Sequence, residues 1–181
     1  KLYFLKNTQL QKLKKFSSML GSNTTTAMSM AFFSRTEEKN TFPNLLGNVF
    51  GGGIHSKKTR MNIQEILVMP EASSIPKAID TNIKIWKEIR PKLINMKVKP
   101  ETNIESAWSA DLTDEEALDV VFDITKKYPV RIGIDFAASH FYGKGKYVYY
   151  NRKISRERQI NYVIDLAEQY NLFYIEDPLN Q

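Results

Sequence analysis

The chain has 181 residues with a hydrophobic fraction of 42% and 25% charged residues. That suffices for one real core, or for one domain plus part of another, and it excludes a disordered chain. No cysteine is present and the only histidines are His55 and His140. Disulfides, thiolate chemistry and Cys/His zinc sites are therefore excluded, and any metal must use mainly oxygen ligands.

The net charge of +6 is carried in part by local clusters, Lys12, Lys14 and Lys15 and then Lys57, Lys58 and Arg60. A solvated basic face accounts for these, and no basic-aromatic motif points to nucleic acid. No apolar run reaches the roughly 18 residues a membrane span needs, and no signal peptide is visible. The compartment is read as cytoplasmic. The chain begins at Lys1 without an initiator methionine, so an upstream part is expected.

In chain order, Leu10, Leu13, Phe16 and Leu20 have helical spacing and Gly21 is a plausible stop. A second, tightly packed helix is read over Thr24–Phe33, and a polar linker over Ser34–Pro43. NLLGNVFGGGIHSKKTR is a short strand running into a glycine-rich loop. It matches neither a P-loop nor a dinucleotide fingerprint. Ile63–Met69 reads as a buried strand closed by Pro70. Ile79, Ile83, Trp86 and Ile89 form a helical stripe, ended or kinked at Pro91.

Asn103–Ala107 is ambiguous. Thr113 and Glu116 make a capping box for a helix with Ala117, Val121 and Ile124 on one face. Val130–Phe136 is a strand and Tyr147–Tyr150 a small excursion after it. Ser155 caps a helix with Ile160, Val163, Ile164 and Ala167 inside, and Phe173–Ile175 is a last short strand. The alternation of helix and strand from residue 113 predicts an α/β fold with parallel strands. A doubly wound sheet and a slice of a βα barrel remain equally open on pattern alone.

Single carboxylates fall at informative places. Asp135 sits near the C-terminal end of VRIGIDF, and Glu176 ends the strand in FYIEDP. In a βα barrel such strand ends converge on one face. Two carboxylates about 4 Å apart repel by on the order of 4 kcal/mol at an effective dielectric near 20. A hard divalent cation such as Mg²⁺ removes that cost, so a magnesium site using Asp135 and Glu176 is expected.

Five blocks in order, GNVFGGGIH, IQEILVMP, LTDEEALDVV, IGIDFAAS and YIEDPL, resemble the enolase family, especially its archaeal form. The resemblance runs from about Leu20 to Gln181. It implies an incomplete enolase-type barrel over 41–181, preceded over 1–40 by helices that end the family's N-terminal domain. It also implies Mg²⁺-dependent interconversion of 2-phosphoglycerate and phosphoenolpyruvate, a lyase reaction of glycolysis. In that family a lysine removes the proton beside the carboxylate, and two Mg²⁺ ions stabilise the ene-diolate.

The resemblance implies that His55, Gln64 and Glu65 contact substrate, that Asp135 and Glu176 are two of three metal carboxylates, and that Glu105 is the proton donor. The third carboxylate and the lysine belong to later strands, beyond Gln181. The implied partners are therefore the small-molecule substrate and a complementary chain or a second copy. The family's Asp-Glu-Gly-Gly around its proton donor here reads Ile104, Glu105, Ser106, Ala107. That departure sets a second reading beside the first, a non-catalytic enolase-like binding or structural protein.

Overall fold

The computed structural model describes residues 44–180 together with Gly21, Asn23, Thr24, Thr26 and Ala27. The chain divides into two compact units, Lys1–Phe42 and Pro43–Gln181. In the first, Asn23, Thr24, Thr26 and Ala27 are helical and exposed. The rest of the two N-terminal helices and the linker read from the sequence lie outside the described residues.

The second unit is built on a six-stranded sheet of order β3-β4-β1-β2-β5-β9. Its strands are β1 (Gly47–Gly51), β2 (Glu65–Pro70), β3 (Glu101–Thr102), β4 (Trp108–Ser109), β5 (Val130–Asp135) and β9 (Tyr174–Glu176). A separate hairpin sheet holds β6 (Tyr142–Gly143), β7 (Lys146–Val148) and β8 (Lys153–Ile154). The helices are α1 (Ile75–Asn95), α2 (Asp114–Thr125) and α3 (Arg156–Gln169).

The parallel pairing expected of the later strands holds: β5 and β9 are parallel and joined through α3. The earlier part is different. β2 runs antiparallel to both β1 and β5. The sequence marks a strand by its apolar run but carries no sign of its direction. This reversal has a consequence for the site, because the N-terminal end of β2 lies beside the C-terminal end of β5.

The core is continuous apolar packing of Phe50, Ile63, Ile66 and Ile134 from the sheet side against Ile85, Ile89, Leu93 and Leu118 from the helices. Each is almost wholly removed from water, and burying such a side chain contributes about 1.5–3 kcal/mol. Helix α2 has the capping box read from Thr113 and Glu116: the Thr113 hydroxyl accepts from the Glu116 amide, and the Glu116 carboxylate accepts from the Thr113 amide. Its expected face, Ala117, Val121 and Ile124, is buried.

Two helix expectations need correction. Of the end or kink expected at Pro91, the end does not occur there: helix α1 continues through Pro91 to Asn95. Its end comes instead at Lys97, which takes a left-handed conformation (φ 59°) while Val98 donates to the Leu93 carbonyl. That is the six-to-one hydrogen bond of a Schellman stop. The buried stripe of α1 is Ala78, Ile85, Ile89 and Leu93, and Ile79 and Ile83 are exposed. Likewise Val163 and Leu166 of α3 are buried, whereas Ile160 and Ile164 are exposed. In both helices the sequence offers more apolar positions than one stripe can bury, and packing selects among them.

Candidate active site

Three neighbouring strands each bring one carboxylate to the same end of the sheet. Glu65 of β2 is the register partner of Asp135 of β5, and Asp135 is the partner of Glu176 of β9. Directly paired residues project to the same face of a sheet, so the three acids form a row. The antiparallel course of β2 makes this work, since Glu65 opens its strand whereas Asp135 and Glu176 close theirs.

The glycine-rich loop after β1 reaches the same end. A side chain at Gly52 would collide with the Cβ of Met61 and lie 2.7 Å from the Ile63 carbonyl oxygen. The close approach that glycine permits is therefore to the chain's own segment 61–63. A short 3₁₀ helix, Gly53–His55, then presents His55. Its Nδ1 stands 3.1 Å from Oε2 of Glu105, at ion-pair distance but without hydrogen-bond alignment. One ligand atom each of His55, Glu65 and Glu105 all lie within 4.8 Å of one another.

Glu105 lies on the turn between β3 and β4, the segment the sequence left ambiguous. Asn103 closes the turn: its Oδ1 accepts from the amides of Glu105 and Ala107, each at 3.0 Å. This is the local side-chain capping typical of asparagine. Asn48 of β1 donates through Nδ2 to Oε2 of Glu105 at 3.0 Å. Neither asparagine carries a sequence signal of its role, because one acts on a residue distant in the sequence and the other on its own turn.

Ser106 has φ 65°, in the left-handed region, and its carbonyl accepts from Nε1 of Trp86 at 2.9 Å. A non-glycine residue pays roughly 1–2 kcal/mol in that conformation. Ser106→Gly is therefore expected to stabilise the unit by about 1 kcal/mol, raising its thermal midpoint by roughly 2–4 °C. Calorimetric melting checks it.

The electrostatics follow from the crowding. Glu65 is pushed up to about 7 by burial first, then by the charge of Glu105 and the hydrogen bond between the two carboxyls, and then by Asp135. His55 opposes the shift. Asp135 is also raised, by burial and by Glu176 and Asp177, although the Ala137 amide donates to its Oδ1 at 2.9 Å. Gln64 Nε2 lies 3.5 Å from Asp135 Oδ2, and the Tyr174 hydroxyl donates to Glu176 at 2.8 Å.

Two kinds of chemistry are thus available. Glu65, raised to about 7 and lying beside Glu105 and His55, suits proton transfer near neutral pH. The Asp135–Glu176 pair is an all-oxygen donor set whose mutual repulsion a hard cation relieves.

A cleft of about 190 Å³ borders this end, lined by Ile54, Asn62, Gln64, Ala137 and His140 among others. A larger groove of about 570 Å³ lies at the opposite end of β5, beside Glu71, Arg131 and Phe173. Glu71 is the one carboxylate among its lining residues.

Residues 39–181 match the family model described as "Enolase, C-terminal TIM barrel domain". The chain belongs to the enolase family. It is 38% identical over 148 residues to the enolase of Picrophilus torridus, covering 77% of this chain and 37% of that protein. It is 36% identical over 181 residues to the enolase of Methanocorpusculum labreanum, covering 95% and 44%. The enolase of Methanosphaera stadtmanae is 35% identical over 192 residues, covering 91% and 46%. The chain thus spans less than half the length of these relatives. Membership makes the fold an incomplete enolase-type α/β barrel and implies a divalent metal, and the oxygen donors of Asp135 and Glu176 fit such an ion. No helix among the described residues is long and apolar enough to cross a membrane.

Proposed function

We propose that this chain supplies one part of an enolase active site, acting on 2-phosphoglycerate and phosphoenolpyruvate in the cytoplasm. The observation that carries the reading is the row of Glu65, Asp135 and Glu176 in register, with Glu105 and His55 alongside. Residues 1–40 are read as the end of the N-terminal domain and 41–181 as the first part of the barrel. The remaining metal carboxylate and the base lysine come from the length of the family that this chain does not span, on a complementary chain or on further sequence.

In this reading Asp135 and Glu176 hold Mg²⁺. The chemistry that Mg²⁺ supplies when bound is neutralisation of negative charge gathering on the substrate carboxylate. His55 and Gln64 orient the substrate, Gln64 from the wall of the cleft. Glu105 delivers the proton that lets hydroxide leave. Glu65, held protonated more readily than an ordinary glutamate, contacts the substrate beside Glu105. The glycine-poor turn still supports this role, because Asn103 ties the Glu105 amide and Asn48 ties its carboxylate.

Calorimetric titration of Mg²⁺ into the chain in the presence of 2-phosphoglycerate tests the reading. A magnesium-dependent heat is expected, weakened at least tenfold by Asp135→Asn and by Glu176→Gln. Binding unchanged in both variants would remove these residues from the metal site. No binding at all would favour the non-catalytic alternative.

A further inference from the structure

We propose that Asp114 is a positioning residue: its carboxylate seats Gln64 and Glu65 in the site by fixing the two amides that precede them. The proposal rests on the reading of the site given above.

Asp114 is the first residue of α2 and is 3% exposed. A buried acid at a helix start ordinarily serves its own helix, yet here that task belongs to the Thr113–Glu116 box. Oδ1 of Asp114 instead accepts from the amides of Asn62 at 2.8 Å and Ile63 at 2.9 Å, about 50 residues away in sequence. Immediately downstream, the Gln64 amide donates to the Asp135 carbonyl at 3.0 Å, and the Gln64 carbonyl accepts from Gly52, also at 3.0 Å. Residues 62–64 are therefore pinned in succession to α2, to β5 and to the glycine-rich loop that carries His55.

Arg60 reinforces the clamp, bonding Asp111 and Glu116 at the same end of α2. The Asn62 side chain extends it to the β7 hairpin, donating to the Val148 carbonyl and accepting from the Tyr150 amide. Of these contacts, the one from the Ile63 amide to Asp114 is buried and the one from Asn62 part-buried, whereas those of Arg60 are exposed. Removing its oxygen leaves two amide donors unsatisfied. The strand entry then loses its seat, and with it the register that places Glu65 opposite Asp135.

Residue-resolved amide hydrogen exchange on the full chain tests this. In the wild type, the Asn62 and Ile63 amides are expected to be protected comparably to Ile134 of β5. Rapid exchange at both would overturn the proposal without any variant. Asp114→Ala is expected to raise exchange at Ile63 and Gln64 at least tenfold more than at Leu67 and Val68. Asp114→Asn, which keeps the acceptor oxygen, should stay within about threefold of wild type. Leu118→Ala, a core truncation in the same helix, should raise all core amides together.

Should Asp114→Ala behave like Leu118→Ala, or leave Gln64 unchanged, Asp114 contributes to the fold alone and the proposal fails. Failure here is distinct from failure of the site reading, which the Mg²⁺ titration judges by itself.

Discussion

Glu105→Gln is expected to lower turnover by roughly 10²- to 10⁴-fold in a barrel completed with the family's remaining strands. Glutamine keeps the shape of glutamate and one acceptor oxygen, so the link from Asn48 survives. What it loses is the transferable proton. The carboxyl of Glu105 lies among His55, Asn48 and Glu65. The loss should therefore fall on kcat, with Mg²⁺ affinity little changed, because the proposed ligands Asp135 and Glu176 follow Glu65 along the row, away from Glu105. Steady-state kinetics with the metal held saturating separate the two. A loss confined to KM would assign Glu105 to binding alone.

The second large effect is on stability. Asp114 is pushed up to about 7 by burial, against two amides that favour its charged form, and Glu65 is pushed to about 7 by burial and its acidic neighbours. Both groups bind protons more tightly in the folded chain than in the unfolded one. Their contribution is thus fully present below the ordinary carboxylate range and is lost as pH rises from about 4 through about 7. For Asp114, deeply buried, the loss is on the order of 4 kcal/mol. Glu88, Glu101 and Asp123 are shifted the other way by lysine partners, but these are surface pairs whose effect is small and confined to more acidic solution.

The chain should accordingly lose stability steadily between about pH 4 and 7 and little thereafter. Asp114→Asn should flatten most of that slope, since the amide keeps the acceptor and carries no charge. Urea midpoints measured across the range check it. A stability that rises over the same interval would contradict the assignment of both groups.

Much of the fold was legible from local signals. The Thr113–Glu116 cap, the β5 run VRIGIDF and the glycine-rich turn each announce themselves within a few residues. What was not legible depends on long-range pairing. No residue in IQEILVM shows that β2 runs antiparallel, and this is what brings Glu65 level with Asp135. The same holds for Ile79 and Ile160, which fit a helical stripe yet remain exposed because neighbouring positions pack first. Of the site, the strand-end acids were visible as types in places. Their company was not: Asn48, Asn103 and Asp114 act across turns and sequence distances that periodicity cannot reach.

The Asn103 turn also bears on the departure at Ile104–Ala107. Loss of glycine there need not displace Glu105, because the turn is closed by a side chain and Ser106 takes the left-handed conformation in place of glycine.

The most direct test of the central claim is a chimera in which this chain replaces the matched region of the Methanocorpusculum labreanum enolase. The account predicts Mg²⁺-dependent conversion of 2-phosphoglycerate to phosphoenolpyruvate, abolished by chelation and by the Asp135→Asn and Glu176→Gln pair. A folded chimera that binds Mg²⁺ and 2-phosphoglycerate yet shows no turnover would contradict it.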